Sequence, residues 1–151
     1  MVAYGQGSVS QGLVSRRLPT TNQVVLYVRK DHPLAAKTLV TPQDLTSGRI
    51  VVAREFFGSD DVRAWLGDVA DRLDVAATYN LPFNGVAMVE EGLGDFMLNF
   101  DGLVPVSNTA LKRIEFEAAP ESAEFLVWQG DRKFTRAALL FKDWLFEHSE
   151  Q

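Results

Sequence analysis

The chain has 151 residues, 46% hydrophobic and 23% charged, which suits one ordinary globular domain able to bury a core. Its 15 Lys and Arg against 20 Asp and Glu leave a net charge of −5 with no basic cluster, which argues against a free-standing nucleic-acid binder. Without cysteine there are no disulfides and no thiol catalysis, and with no signal peptide or membrane-spanning run legible, a cytoplasmic protein is expected.

Residues 1–22, rich in Gly, Ser, Gln and Thr, read as loop with at most a short strand. Val24 to Arg29 is β-branched and aromatic, the pattern of a mostly buried strand. It runs into a turn at Pro33. "TPQDL" (41–45) then starts a short helical turn, with Thr41 as N-cap and Pro42 at its first position, and Gly48 ends it. "RIVVAR" (49–54) is a second strand. A helix over 58–73 follows, with Ser59 as N-cap, and Asp60 and Asp61 in the first turn, where the helix dipole favours negative charge.

"DVAATYN" (74–80) is a third strand. The segment 83–94 is a short helix with Asn84 as N-cap and Gly92 as its stop. Strands over 95–100, 113–118 and 124–130 come next, and an amphipathic helix closes the chain over 135–151, with Ala138, Phe141 and Leu145 on one face. Strands that alternate with helices argue for an α/β fold.

Most of the chemistry this sequence could carry does not assemble. Asp31 and His32 are neighbours on a turn, which rarely lets one orient the other, and no activated nucleophile accompanies them. His32 and His148 are too far apart for a metal signature. Glu90 and Glu91 read as the solvent side of a helix. "GQGSVSQG" lacks the strand before and helix after that a phosphate loop needs. Two helix starts remain, at Ser59 and Asn84. Each follows a strand through a short loop, and in open α/β sheets such loops share one edge, at the carboxyl ends of the strands. Free backbone N–H groups there suit a carboxylate or phosphate.

The strand running into "RKDHPLA", then "VTPQDL" and "RIVVAR", resembles the effector-binding domain of LysR-type transcriptional regulators. "YNLPFNGVAMVEEGLGDFML" and "EFLVWQGDRKFTRAALLFKDWL" continue the resemblance in order, over about residues 18–147. It implies an α/β fold of the type 2 periplasmic-binding-protein kind, with a small effector between two lobes and His32 and Pro33 as structural residues. On this basis residues 23–112 form the second lobe, and 113–151 bring the return strands and last helix of the first, after an N-terminal segment 1–22. The helix-turn-helix and the opening of the first lobe have no counterpart in the sequence.

The implied ligand positions are Phe57, Gly58 and Ser59 in one loop and Leu81, Pro82, Phe83 and Asn84 in the other. Two helix starts would hold an anion, and two phenylalanines its apolar body. The resemblance thus implies a non-catalytic, ligand-sensing fragment that takes a small organic anion, without cofactor, metal, membrane contact or direct DNA binding. A cytoplasmic solute-binding module, or a self-associating interaction module of the same fold, is the alternative. A homodimer is expected, because the closing helix and the strands over 113–130 would otherwise leave apolar surface and strand edges uncovered.

Overall fold

The structure is a computed structural model that describes residues 2–4, 12–54, 56–104, 107 and 109–148, with Val2–Tyr4 and Phe57 described through their backbone alone. The strands are β1 (Val2–Tyr4), β2 (Leu13–Arg29), β3 (Leu39–Val40), β4 (Arg49–Ala53), β5 (Asp74–Tyr79), β6 (Phe96–Phe100), β7 (Leu111–Phe116) and β8 (Glu121–Gln129), and the α-helices are α1 (Asp60–Leu66), α2 (Pro82–Glu90) and α3 (Arg136–His148). The chain divides into two compact units, one of Met1–Asn22 with Glu121–Gln151 and one of Gln23–Pro120. No helix among the described residues is long and apolar enough to cross a membrane.

The larger unit is a sheet in the order β3-β7-β2-β6-β4-β5. β2 enters it through its second half, antiparallel to β6 and to β7. β4 lies between β5 and β6 and runs parallel to both. Its two faces are both covered. On one, Leu26, Ile50, Val52, Phe96 and Leu98 pack with Val62 and Leu66 of α1 and with Leu34 and Leu45 of two short 3₁₀ turns. On the other, Tyr27, Val51, Tyr79 and Met97 pack with Val86 and Val89 of α2 and with Val104. Burial on both sides is why Val24 to Val28 read as an unbroken apolar run rather than an alternation.

Two close approaches hold α2 and the turn after it against the sheet. A Cβ at Gly85 would lie 2.8 Å from the Tyr79 ring and 3.0 Å from Met97 Cε. A Cβ at Gly94 would lie 2.6 Å from Val51 Cγ2. Gly92, at φ +77°, ends α2 as expected.

In the smaller unit β8 lies between β1 and the first half of β2. β1 and β8 are antiparallel, with Ala3 opposite Phe125. Glu124 of β8 accepts hydrogen bonds from Thr20 Oγ1 (2.7 Å) and Asn22 Nδ2 (2.6 Å) of β2. α3 half-buries Ala138, Lys142, Leu145 and Phe146, with the Lys142 ammonium over the Trp128 ring.

Several elements differ from the sequence expectation. The stretch from Leu13 to Asn22 is strand, not loop, because it pairs with β8, a partner remote in sequence. The helix expected over 58–73 is cut at Gly67, whose φ of +51° leaves the right-handed helix, and a 3₁₀ turn over Gly67–Arg72 follows. α2 starts at Pro82 with Leu81 as N-cap, so Asn84 sits inside the first turn rather than capping it. The division expected between residues 112 and 113 falls after Pro120, since β7 pairs with β2 and β3 inside the larger unit. Phe141, expected on one face with Ala138 and Leu145, is 58% exposed, whereas those two are half-buried. Residues 149–151 of that helix lie outside the described residues, as do residues 5–11 of the glycine-rich stretch.

The packing at Gly85 yields a direct check. Gly85→Ala should destabilise the chain by about 1–3 kcal/mol through overpacking, although alanine is about 1 kcal/mol the better helix former. The Tyr79 ring cannot easily yield, since its hydroxyl donates to the Leu98 carbonyl at 2.7 Å. Urea melts of wild type and variant would measure the loss; an unchanged or higher midpoint would contradict this account of the α2 packing.

Candidate functional site

β4 and β5 end side by side. Ala53 is opposite Tyr79, and the Arg54 N–H donates to the Tyr79 carbonyl at 2.9 Å. Because the two strands are parallel neighbours, the loops that leave them, toward α1 and α2, emerge at one edge of the sheet. This brings the two expected clusters, Phe57-Gly58-Ser59 and Leu81-Pro82-Phe83-Asn84, to the same edge.

In the first loop, Phe56 is buried and anchors a 3₁₀ turn (Phe56–Gly58), Gly58 is exposed with open space where a Cβ would stand, and Phe57 offers its backbone alone for description. Ser59 caps α1: its Oγ accepts from Val62 N–H at 3.5 Å, the long limit of a hydrogen bond. That contact leaves the hydroxyl proton uncommitted.

In the second loop, Pro82 occupies the first helical position, where its missing N–H loses nothing. Leu81 and Phe83 are 60% and 63% exposed, unusual for large apolar side chains beside a helix start. The Asn84 side chain is exposed and makes no hydrogen bond among the described residues.

Sequence reasoning passed over Arg54. It follows the last residue of β4, is exposed, and its guanidinium has no carboxylate partner among the described residues. The signal was present, in that an arginine ends an otherwise apolar strand at the carboxyl edge. Arg113, on β7, is by contrast fully engaged. It forms two bonds to Asp101, from Nε at 2.7 Å and from a terminal nitrogen at 2.5 Å, and a third to Glu115 at 3.0 Å. Those bonds hold the Asp101 carboxyl below its ordinary 3.8, against the opposing effect of partial burial. Burial, together with the Asp101 charge, pushes the Tyr27 phenol up to about 12.

The other polar candidates resolve into local structure. His32 Nδ1 accepts from Leu34 N–H at 3.2 Å and its ring meets Phe96 edge-on, so it caps a 3₁₀ turn. Asp31 pairs with Arg29, whose hydrogen bonds lower its pKa, and does not orient His32. Glu90 accepts from Ala110 N–H at 2.7 Å and Glu91 is exposed. Among the described residues no cluster of His, Asp or Glu could hold a metal.

The Asp101–Arg113 pair gives a pH prediction. Asp101→Asn should cost about 0.5–1 kcal/mol at neutral pH, the scale of a partly exposed ion pair. A carboxyl held low in the folded state contributes fully above its unfolded pKa and loses that contribution as pH falls through the folded value. The stability gap between wild type and Asp101→Asn, from denaturant melts, should therefore narrow below about pH 4. A gap that widens there would contradict it.

The family model described as LysR substrate binding domain matches residues 1–150. No match was found among curated proteins. Among solved structures, the chain is similar to the effector binding domain of QuiR in complex with shikimate, at 16% identity and a TM-score of 0.75, over 99% of this chain and 71% of that one. It is similar to HinK, a LysR family transcriptional regulator from Pseudomonas aeruginosa, at 14% identity and a TM-score of 0.71, over 98% of this chain and 53% of that one. The regulatory domain of CcmR from Synechocystis, in complex with 2-PG, matches at 15% identity and a TM-score of 0.69, over 99% of this chain and 74% of that one. At such identities the likeness is one of fold, and the chain spans about half the length of the HinK chain.

Proposed function

The chain belongs to the LysR substrate binding domain family, and from that premise we propose that it is the ligand-sensing part of a transcriptional regulator, binding a small organic anion without transforming it. The observation that carries this is the pairing of Ala53 with Tyr79, which sets two loops with exposed apolar and hydrogen-bonding side chains at one sheet edge. The Ser59 hydroxyl and the Asn84 amide are the polar contacts in this proposal. Arg54 adds the opposite charge, and Leu81, Pro82 and Phe83 receive the apolar body. Gly58 lets the ligand approach the backbone, and the Phe57 backbone continues that wall. The solved QuiR and CcmR domains hold shikimate and 2-PG, which supports the choice of a small polar ligand here.

Binding is tested by titrating the chain with small carboxylates and organic phosphates, shikimate among them. For whichever binds, Ser59→Ala, Asn84→Ala or Arg54→Gln should each weaken it roughly ten- to hundredfold, the worth of one charge-assisted hydrogen bond. Ser59 also caps α1, worth about 1 kcal/mol, so melting is followed in parallel. Normal binding by all three variants would remove the site.

The reading includes a homodimer, favoured by one surface. Leu140, Phe141 and Trp144 of α3 are 61%, 58% and 54% exposed. Covering each is worth up to about 1.5–3 kcal/mol, so a two-fold contact through α3 would resist salt. Sedimentation at micromolar concentration should show a dimer, and Phe141→Asp should dissociate it without unfolding the monomer, since Phe141 is exposed. A change at exposed Glu91 should do neither. A wild-type monomer at that concentration refutes the contact.

A further inference from the structure

The sequence holds one Asp–Gly step, Asp101–Gly102, and one Asn–Gly step, Asn84–Gly85. At such steps the backbone can rearrange without an enzyme, because a following glycine has no Cβ to shield its nitrogen from the carbonyl carbon of the preceding side chain. In an unfolded chain the amide reacts faster than the carboxylate, so Asn84 ranks first by its chemistry. The fold reverses that order.

Asn84 and Gly85 lie in the first turn of α2. Helical backbone points the Gly85 nitrogen along the axis toward the preceding turn, away from the Asn84 amide carbon. Closing a ring between the two requires that turn to unwind, and the turn is clamped. Gly85 is buried, and it sits so close to Tyr79 that a Cβ would lie 2.8 Å from the ring. The ring itself is fixed by its hydroxyl, which donates to the Leu98 carbonyl at 2.7 Å.

Asp101 and Gly102 form the turn that follows β6. Gly102 is exposed, has a φ of +74°, and would meet nothing within 4 Å at a Cβ. Its N–H donates to Asp101 Oδ1 at 2.8 Å, so the nitrogen already stands beside the carboxyl group that it would attack. The Asp101 N–H is fixed from behind on the Gln23 carbonyl at 2.9 Å. What opposes the reaction is Arg113. Its bonds of 2.7 Å to Oδ1 and 2.5 Å to Oδ2 engage both oxygens and keep the group ionised, the form in which its carbon is a poor electrophile. The two side chains are 31% and 37% exposed, so solvent weakens that hold.

We propose that Asp101–Gly102 is a modification site, at which the folded chain isomerises aspartate to isoaspartate, with Arg113 as the residue that restrains it. The Gly102 nitrogen bonds to Asp101 Cγ, its proton passes to solvent, and a carboxyl oxygen leaves as water. Water then opens the five-membered imide at the former backbone carbonyl, so one water is lost and one regained. The product lengthens the backbone after β6 by one carbon and takes the carboxylate off Arg113 of β7. The test incubates the full chain at neutral pH, below its melting temperature, with circular dichroism to follow the fold. Isoaspartate is located by peptide mass spectrometry with electron-transfer fragmentation. In the folded chain it should build up at position 101 while Asn84 stays intact; in urea the order should reverse. Arg113→Gln should raise the rate at position 101 about two- to fivefold, the worth of a partly exposed ion pair. Arg113→Lys keeps the charge but loses the paired geometry, so it should give a smaller rise, and it decides the matter if Arg113→Gln does not fold. A folded chain in which Asn84 reacts first, or in which position 101 reacts no faster than the other aspartates, would overturn the proposal. So would a rate at position 101 that neither Arg113 variant raises.

Discussion

The placement of β4 between β5 and β6, all three running the same way, is the constraint on which the larger unit depends. Parallel neighbours cannot be joined by hairpins; each needs a crossover, and the crossovers bring helices onto the faces. That is why α1 covers one face and α2 the other, and why Ile50, Val51 and Val52 are each wholly buried although they are consecutive. It is also why the loops after β4 and β5 emerge together. Slipping β4 out of this position would bury neither face and would scatter the two loops.

The price of that arrangement is close packing where the chain re-enters the sheet. Glycine stands at the two tightest places, Gly85 against Tyr79 and Gly94 against Val51. Tyr79 is central to the packing and to the sheet edge where the two loops emerge. Its ring lies under α2, its hydroxyl is tied to Leu98, and its carbonyl receives Arg54 N–H. A rigid floor of this kind leaves the side chains above it free to present themselves, and Leu81, Phe83 and Asn84 are the exposed ones.

The charges divide in the same way. Arg29, Lys37 and Arg113 are held by Asp31, Asp44 and Asp101 and fasten turns to strands. Arg54, Arg16 and Arg17 have no such partner among the described residues, and each stands where backbone or apolar surface is open.

Some of this was legible in the residues because it depends on near neighbours. The α/β alternation, the apolar cores of β2, β4 and β6, the Ser59 cap, the stop at Gly92 and the structural role of His32 all follow from side chains within a few positions of one another. The start of α2 is legible as well, at Pro82, which favours the first helical position and so makes Leu81 the cap and leaves Asn84 inside. What only the tertiary structure decided involves partners far apart in the chain. Residues 13–22 become strand because β8, more than a hundred positions away, pairs with them. β7 joins the larger unit because β2 and β3 bond to it there. Phe141 faces outward because half-buried Lys142, Leu145 and Phe146 take the packed side of α3. Local chemistry sets caps, stops and periods; which edge a strand meets, and which face a helix hides, depends on the free energy of contacts that no short stretch of sequence contains.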